Sequence, residues 1–286
     1  MLFRSDLADR LLSSDSGEEI LGGTESVATV LFSDIRSFTT ISEELGPHGT
    51  VAMLNDYFER MVGCISEHSG MLDKFIGDAI MAVFGLPVAA EDDEDRALRA
   101  AIAMVRSLRE WNTEREGRGE PLIDMGIGLN TNSVVAGNIG TPKRMDYTII
   151  GDGVNLAARL ESACKQYGAR ILLSDMTASR LNGVYRLREV DKVIVKGKTQ
   201  PVSIFESLDY HDDASFPNMM ETIGLFAEGL ARYREADFEA ASTWFDRALA
   251  ASPGDRLSVI YQERCRQLSK SPPPGDWDGV WAMTEK

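Results

Sequence analysis

Cysteine, histidine and positive charge are what this 286-residue chain has least of, and each shortage excludes something. The three cysteines, Cys64, Cys164 and Cys265, are scattered, odd in number and form no Cys-x-x-Cys pair. That pattern excludes a zinc ribbon or a disulfide framework and fits reduced thiols. His48, His68 and His211 are equally isolated and read as lone exposed side chains rather than ligands. Thirty Lys and Arg stand against forty-five Asp and Glu, a formal net charge of −15. The chain therefore lacks the basic stripes that hold nucleic acid or anionic lipid, and an acidic protein that binds a polyanion needs metal ions and a few placed cations. No apolar run approaches the ~20 residues of a bilayer span, so a soluble, cytoplasmic chain is expected. An apolar content of 43% and a charged content of 26% are ordinary for a folded protein and argue against wholesale disorder.

Three regions are legible along the chain. In residues 1–24, Phe3, Leu7 and Leu11 fall at helical spacing before the breaker-rich run Ser13 to Gly17. This reads either as the tail of a helix entering from an upstream segment or as a frayed N-terminal helix. In residues 25–209 the pattern alternates. A β-rich run from Thr29 to Phe32 leads to a helix carrying Val51, Leu54, Phe58, Met61 or Val62, and Ile65 on one face, closed by Gly70. The runs Met71–Ile76 and Ala79–Phe84, split by Gly77-Asp78, predict a β-hairpin. A second helix bears Ala97, Ala101, Met104, Leu108 and Trp111. Strands are expected at Ile123–Leu129 and Val134–Ile139 around a turn at Asn130 to Ser133, and a helix from Gly151 through Gln166. The order implies an α/β (α+β) sandwich of ferredoxin-like topology with its helices on one sheet face. In residues 210–286, Leu225, Gly229, Ala241, Phe245, Ala248 and Pro253 fall at the offsets of one tetratricopeptide-type helical hairpin. A single such unit cannot bury its own apolar face, so it must pack on the preceding domain or on a partner. Pro272 to Pro274 with Trp277 and Trp281 read as a tail pinned by aromatics.

Two acids stand out by position: Asp34 at the end of the first strand and Asp78 in the hairpin turn. If their strands are neighbours, both carboxylates emerge at one sheet edge, where hard oxygen ligands suit Mg²⁺ or Mn²⁺. Singly, each has a plain alternative, as a helix cap and a turn residue. The surrounding blocks decide between these readings. Leu31-Phe32-Ser33-Asp34-Ile35-Arg36-Ser37-Phe38-Thr39, the run Leu72-Asp73-Lys74-Phe75-Ile76-Gly77-Asp78-Ala79-Ile80-Met81-Ala82, and the run from Asp146 through Thr148, Gly151, Asn155 and Arg159 to Glu161 closely resemble the class III nucleotidyl cyclase catalytic domain. The resemblance covers roughly Ser26 to Leu208.

The resemblance implies that Asp34 and Asp78, helped by the Ile35 carbonyl, hold two divalent ions, and that backbone N–H groups from Ile35 to Thr39, Phe38 included, meet phosphate oxygens. It assigns Asn155 to orienting the ribose and Arg159 to charge developing at the α-phosphate; four apart on a helix, they share a face. The resemblance makes Lys196 the triphosphate lysine, with Lys198 the alternative. Lys74 and Thr148 are the base-reading pair. Lys74 can only donate, which suits adenine N1, and the Thr148 hydroxyl can accept from the 6-amino group. Guanylate-forming relatives usually carry Glu and Cys at these two places, so ATP is the expected substrate and cyclic AMP the product. The chain holds every role, which implies a homodimer with two shared sites at its interface. An upstream GAF, PAS or light-sensing module and stimulation by bicarbonate are further expectations from the family. Two departures from the family pattern stand out. Asn132-Ser133 replaces the usual Gly-Pro after Asn-Thr, and Gly153 replaces a commoner Thr, Ser or Ala. The Gly-Gly-Asp/Glu-Glu-Phe turn of diguanylate cyclases is absent. A silent nucleotide-binding regulator would show loss of the metal acids or of Asn155 and Arg159, and all four are present.

Overall fold

A β-strand alternates its side chains between two faces, and β1 (Gly22–Ile35) uses both. Leu31 and Ile35 enter one apolar cluster, while Ala28 and Val30 enter another on the opposite face. The structure, a computed structural model, describes residues 22–141, 144–194, 201–273, 277 and 279–282. After β1 come α1 (Phe38–Glu67), β2 (Met71–Ile76), β3 (Ala79–Phe84), α2 (Asp93–Gly117), β4 (Met125–Thr141), β5 (Arg144–Ile150) and α3 (Asp152–Tyr167). They are followed by β6 (Ile171–Ser174), α4 (Asp175–Ala178), β7 (Leu187–Ile194), β8 (Val202–Ser207), α5 (Met219–Arg234), α6 (Phe238–Ala251), α7 (Arg256–Lys270) and β9 (Trp281–Ala282). Among the described residues the strands form one sheet in the order β2-β3-β1-β4-β6-β8-β7-β9, with β5 paired to β4. The N-terminal helical pattern, Lys196 and Lys198 lie outside the described residues.

The α/β architecture is as expected, with three amendments. First, helices cover both faces. Helices α1 and α2 fill one face with Met53, Tyr57, Met61 and Ile65 and with Ala97, Ala101, Met104, Leu108 and Trp111. Helix α3 lies on the other face, and it comes so close that a Cβ on Gly128 would stand 2.1 Å from the Ala157 carbonyl oxygen. Second, the buried stripe of α1 is rotated from the expected one. Val51 is 59% exposed, and Tyr57 turns inward, with its hydroxyl 3.9 Å from Met125 Sδ. Third, β4 runs unbroken through Asn130 to Ser133, where a turn was expected. These polar side chains find partners within the fold: Asn130 Nδ2 donates to the Gly153 carbonyl at 2.8 Å, and Thr131 meets Thr29 across the strands at 2.8 Å. The true reversal follows, and β5 returns along β4 as a strand the sequence pattern does not announce.

The helices after residue 210 pack on one another and on the preceding domain. Gly229 on α5 receives the Phe245 ring of α6, and α7 follows as a third helix. Phe226, Tyr233, Phe245 and Tyr261 join Leu160 and Tyr167 of α3 and Val190 of β7 in one apolar cluster. Buried ions stitch the seam: Arg188 bonds Glu206 at 2.6 Å and Asp255 at 2.7 Å, and Asp191 accepts from Arg264 and from the Tyr167 hydroxyl, each at 2.7 Å. Trp277 Nε1 donates to the Tyr233 carbonyl at 3.2 Å, and β9 adds in parallel to Val193 and Ile194. All three cysteines are free and buried. His211 is no lone exposed side chain. It stacks on Tyr210, and burial, with Arg109, Arg170 and Arg188 nearby, pushes its pKa down to about 4.

Candidate active site

Asp34 and Asp78 come together because β1 and β3 are antiparallel hydrogen-bonded neighbours, so the C-terminal end of β1, with Asp34, lies beside the N-terminal end of β3, which Asp78 precedes. The turn between β2 and β3 needs Gly77 at φ 65°, a left-handed angle that glycine takes without strain, and this presents Asp78 toward β1. The two carboxyl groups are in hydrogen-bond contact. Burial first, then the hydrogen bond and repulsion from Asp78, pushes Asp34 up to about 6, against the opposing Ile35 N–H at 3.0 Å. A third carboxylate, not singled out by the sequence, lies near the pair. Glu161 of α3 lies over Gly126, the β4 residue paired with Asp34. Burial and the charge of Asp34 push it up to about 7.

Two like-charged carboxyl groups side by side form a site that a divalent cation neutralises. The donor set is hard oxygen throughout. Among the described residues no three Asp, Glu, His or Cys side chains close around a common point. Such an open pair matches Mg²⁺ or Mn²⁺, which take one or two carboxylates and leave positions for water and phosphate. The residues present fit the ions the resemblance implies. Beside the pair, α1 begins at Phe38 without a side-chain cap, after Ser37 at φ 57°. The first N–H groups of a helix have no intrahelical partner and face outward there. The Phe38 ring itself packs on the core, and Thr39 is exposed, so the polar offer at this corner comes from the backbone.

Lys74 and Thr148 are far apart in sequence and meet through an intermediary. Asp73 Oδ2 accepts from the Thr148 hydroxyl at 3.0 Å and lies 3.3 Å from Lys74 Nζ. Burial pushes Asp73 up, while Thr148 and Lys74 pull it back. Asn155 and Arg159 stand exposed on α3. They are about 40° apart around the helix, whereas Glu161, which faces the Asp pair, is about 200° from Arg159 at 3.6 residues per turn. Within one chain, therefore, Arg159 points away from Asp34 and Asp78. The two departures from the family pattern also meet: a Cβ on Gly153 would lie 2.6 Å from Asn132 Cβ. Sequence reasoning missed Asp73 and Glu161, although both lie inside the quoted blocks. The available signals were the placement of Asp73 directly before Lys74 and the position of Glu161 two residues beyond Arg159.

The family described as adenylate and guanylate cyclase catalytic domain matches residues 23–206. An adenylate cyclase of Anabaena cylindrica is 42% identical over 185 residues, which are 62% of this chain and 36% of that protein. The terminal-differentiation-specific adenylate cyclase of Dictyostelium discoideum is 34% identical over 249 residues, 85% of this chain and 11% of its own length. The chain thus spans little more than a third, or less, of these curated relatives. Among solved structures, the adenylyl cyclase CyaB from P. aeruginosa is similar with a TM-score of 0.61 and 37% identity, over 68% of this chain and 99% of that one. The guanylyl cyclase Cya2 is similar with a TM-score of 0.61 and 39% identity, over 65% and 94%. By its matched domain, its three motif blocks and its fold, the chain belongs to the class III adenylate and guanylate cyclase catalytic domain family.

Proposed function

We propose that this chain is the catalytic part of an adenylate cyclase that converts ATP to 3′,5′-cyclic AMP and pyrophosphate. Similar structures include both adenylyl and guanylyl cyclases, so the base choice rests on the chain's own side chains. The observation that carries it is the contact of Lys74 and Thr148 through Asp73, an arrangement of one fixed donor and one hydroxyl that matches the N1 and 6-amino positions of adenine. In the reaction the ribose 3′-oxygen attacks the α-phosphorus in line, its proton is lost, and the bond to the bridging oxygen of pyrophosphate breaks. Two divalent ions, Mg²⁺ or Mn²⁺, held by Asp34, Asp78 and the Ile35 carbonyl, would acidify the 3′-hydroxyl and neutralise the triphosphate. Asn155 orients the ribose. The Arg159 guanidinium meets the charge that grows on the α-phosphate, where a preorganised cation contributes most. The N–H groups at the start of α1, with Lys196 or Lys198, hold the triphosphate.

We further take residues 25–209 as the catalytic unit, residues 1–24 as a link to an upstream sensor of the GAF, PAS or light-sensing kind, and residues 210–286 as an extension docked on it. The unit works as a homodimer. The chain is read as cytoplasmic, a reading that the buried free thiols support because they fit a reducing compartment; no described helix is long and apolar enough to cross a membrane. Product formation by the purified chain from ATP and from GTP, in Mn²⁺ and in Mg²⁺ over a range of protein concentrations, tests the reading. Cyclic AMP from ATP, little product from GTP, and specific activity rising with concentration are expected. GTP preference, or no product from a folded dimer, counts against it.

A further inference from the structure

Strand β2 carries a bulge. Leu72 pairs with Ala82 and Lys74 with Met81, so Asp73 is the extra residue opposite a single partner. A regular strand sends consecutive side chains to opposite faces, whereas a bulge re-aims one of them. Here the Asp73 carboxylate reaches both Lys74 and Thr148. Its side chain is 0% exposed, while that of Lys74 is 45% exposed. Its second oxygen, Oδ1, is buried with no hydrogen-bond partner, a costly arrangement for a carboxylate in a strand.

The chemistry of the contact is directional. A threonine hydroxyl both donates and accepts, so Thr148 alone cannot tell the 6-amino group of adenine from the 6-carbonyl of guanine. An ionised carboxylate only accepts. Once the hydroxyl hydrogen is committed to Asp73 Oδ2, Thr148 has only lone pairs to offer a base. We propose that Asp73 is a positioning residue that sets base selectivity, fixing the Thr148 hydroxyl as an acceptor and holding the Lys74 ammonium beside it. This inference rests on the reading of Lys74 and Thr148 as the base-contacting pair.

Three triphosphates isolate the 6-position: ATP, purine riboside triphosphate and 6-methoxypurine riboside triphosphate. All keep N1 as an acceptor for Lys74 and differ only in offering a donor, nothing or an acceptor to Thr148. With the full chain in Mn²⁺, kcat/KM and competition binding should rank them in that order, with ATP ahead of purine riboside triphosphate by about tenfold. In Asp73→Asn the amide can donate to the hydroxyl oxygen and reverse it, so the ATP-to-purine-riboside ratio should fall toward one. Thr148→Val should collapse the same ratio, and the double variant should collapse it no further. A purely structural Asp73 would lower all three substrates by one factor and leave the ratios intact, which overturns the proposal. On the wild-type chain alone, a 6-methoxy analogue as good as purine riboside triphosphate reveals a freely turning hydroxyl and overturns it too. A wild type that binds none of these nucleotides, or prefers GTP, removes the base-pocket reading itself. Retained ATP preference with unchanged ratios in Asp73→Asn removes only this inference.

Discussion

Asp34 and Asp78 sit against each other, and this sets the sign of a pH effect for the metal-free protein. Asp34 at about 6 stands above its ordinary 3.8, and Glu161 at about 7 stands above 4.5. Between the ordinary and the folded values the native state holds protons that the unfolded chain has released, so stability falls as pH rises. The metal-free protein should therefore lose melting temperature from about pH 4 to about pH 7 and level off above that. Mn²⁺ competes with those protons, so its stabilising increment should be small at pH 5 and larger at pH 8. Asp34→Asn should raise the metal-free melting temperature at pH 8 and remove most of the Mn²⁺ increment. Thermal melts at the two pH values, with and without Mn²⁺, read all of this. An increment that is equal at both pH values, or that survives the substitution, separates Asp34 from the metal. At this scale the sequence reveals residues that sit in contiguous motifs, as Asp34 and Asp78 do. It hides Glu161 and Asp73, because their significance comes from partners supplied by the fold, such as Thr148, 75 positions from Asp73.

The seat of α3 on β4 shows how elements fix the site, since α3 carries Asn155 and Arg159. Asn132 and Gly153 each look like a neutral departure in sequence, but in space one side chain occupies room that the other residue leaves free. Gly153→Ala should cost about 1–3 kcal/mol by overpacking and lower activity by tilting the start of α3. Adding Asn132→Gly should restore most of both, so denaturant melts and turnover of the two singles and the double form a cycle whose additivity would disprove the coupling. The extension makes a second case. Arg264→Met leaves the buried Asp191 without its guanidinium and should destabilise the chain by about 3–5 kcal/mol, measured by urea unfolding. A change below 1 kcal/mol would show the seam to be loose. Hairpin β2–β3 and helix α2 are legible because periodicity and a Gly-Asp turn are local signals. The unbroken β4 is not, because Asn130 and Thr131 look like turn residues until Gly153 and Thr29 are present to bond them. Nor is the placement of α3 on the second face, since periodicity shows that a helix has an apolar side without saying which sheet face receives it.

At the scale of the whole molecule, the proposed homodimer makes each chain the bearer of two half-sites. In one chain Glu161 faces Asp34 and Asp78, and the same helix geometry turns Arg159 about 200° away from it, so in the proposed reaction a nucleotide at the two acids would take its arginine from elsewhere. Apolar side chains that a monomer would expose gather on the strands beside it: Val27 of β1 at 45%, Val135 of β4 at 39% and Ile150 of β5 at 53%, with Val135 and Ile150 directly paired. In the proposed homodimer a second copy would cover such a face and, by two-fold symmetry, would return its own Asn155 and Arg159 to the first chain's acids while receiving the reverse. The consequence is quantitative. Asp34→Ala and Arg159→Ala should each be inactive alone, because every site in either homodimer lacks one group. Mixed in equal amounts and allowed to exchange, half the dimers are hybrids, and each hybrid has one site with both groups intact. The mixture should regain about a quarter of wild-type activity. Asp34→Ala mixed with Asp78→Ala should regain none, since each variant has damaged the same half-site and no pairing restores both acids to one chain. Recovery in the second mixture, or none in the first despite exchange, would place the acids and Arg159 in one chain's site.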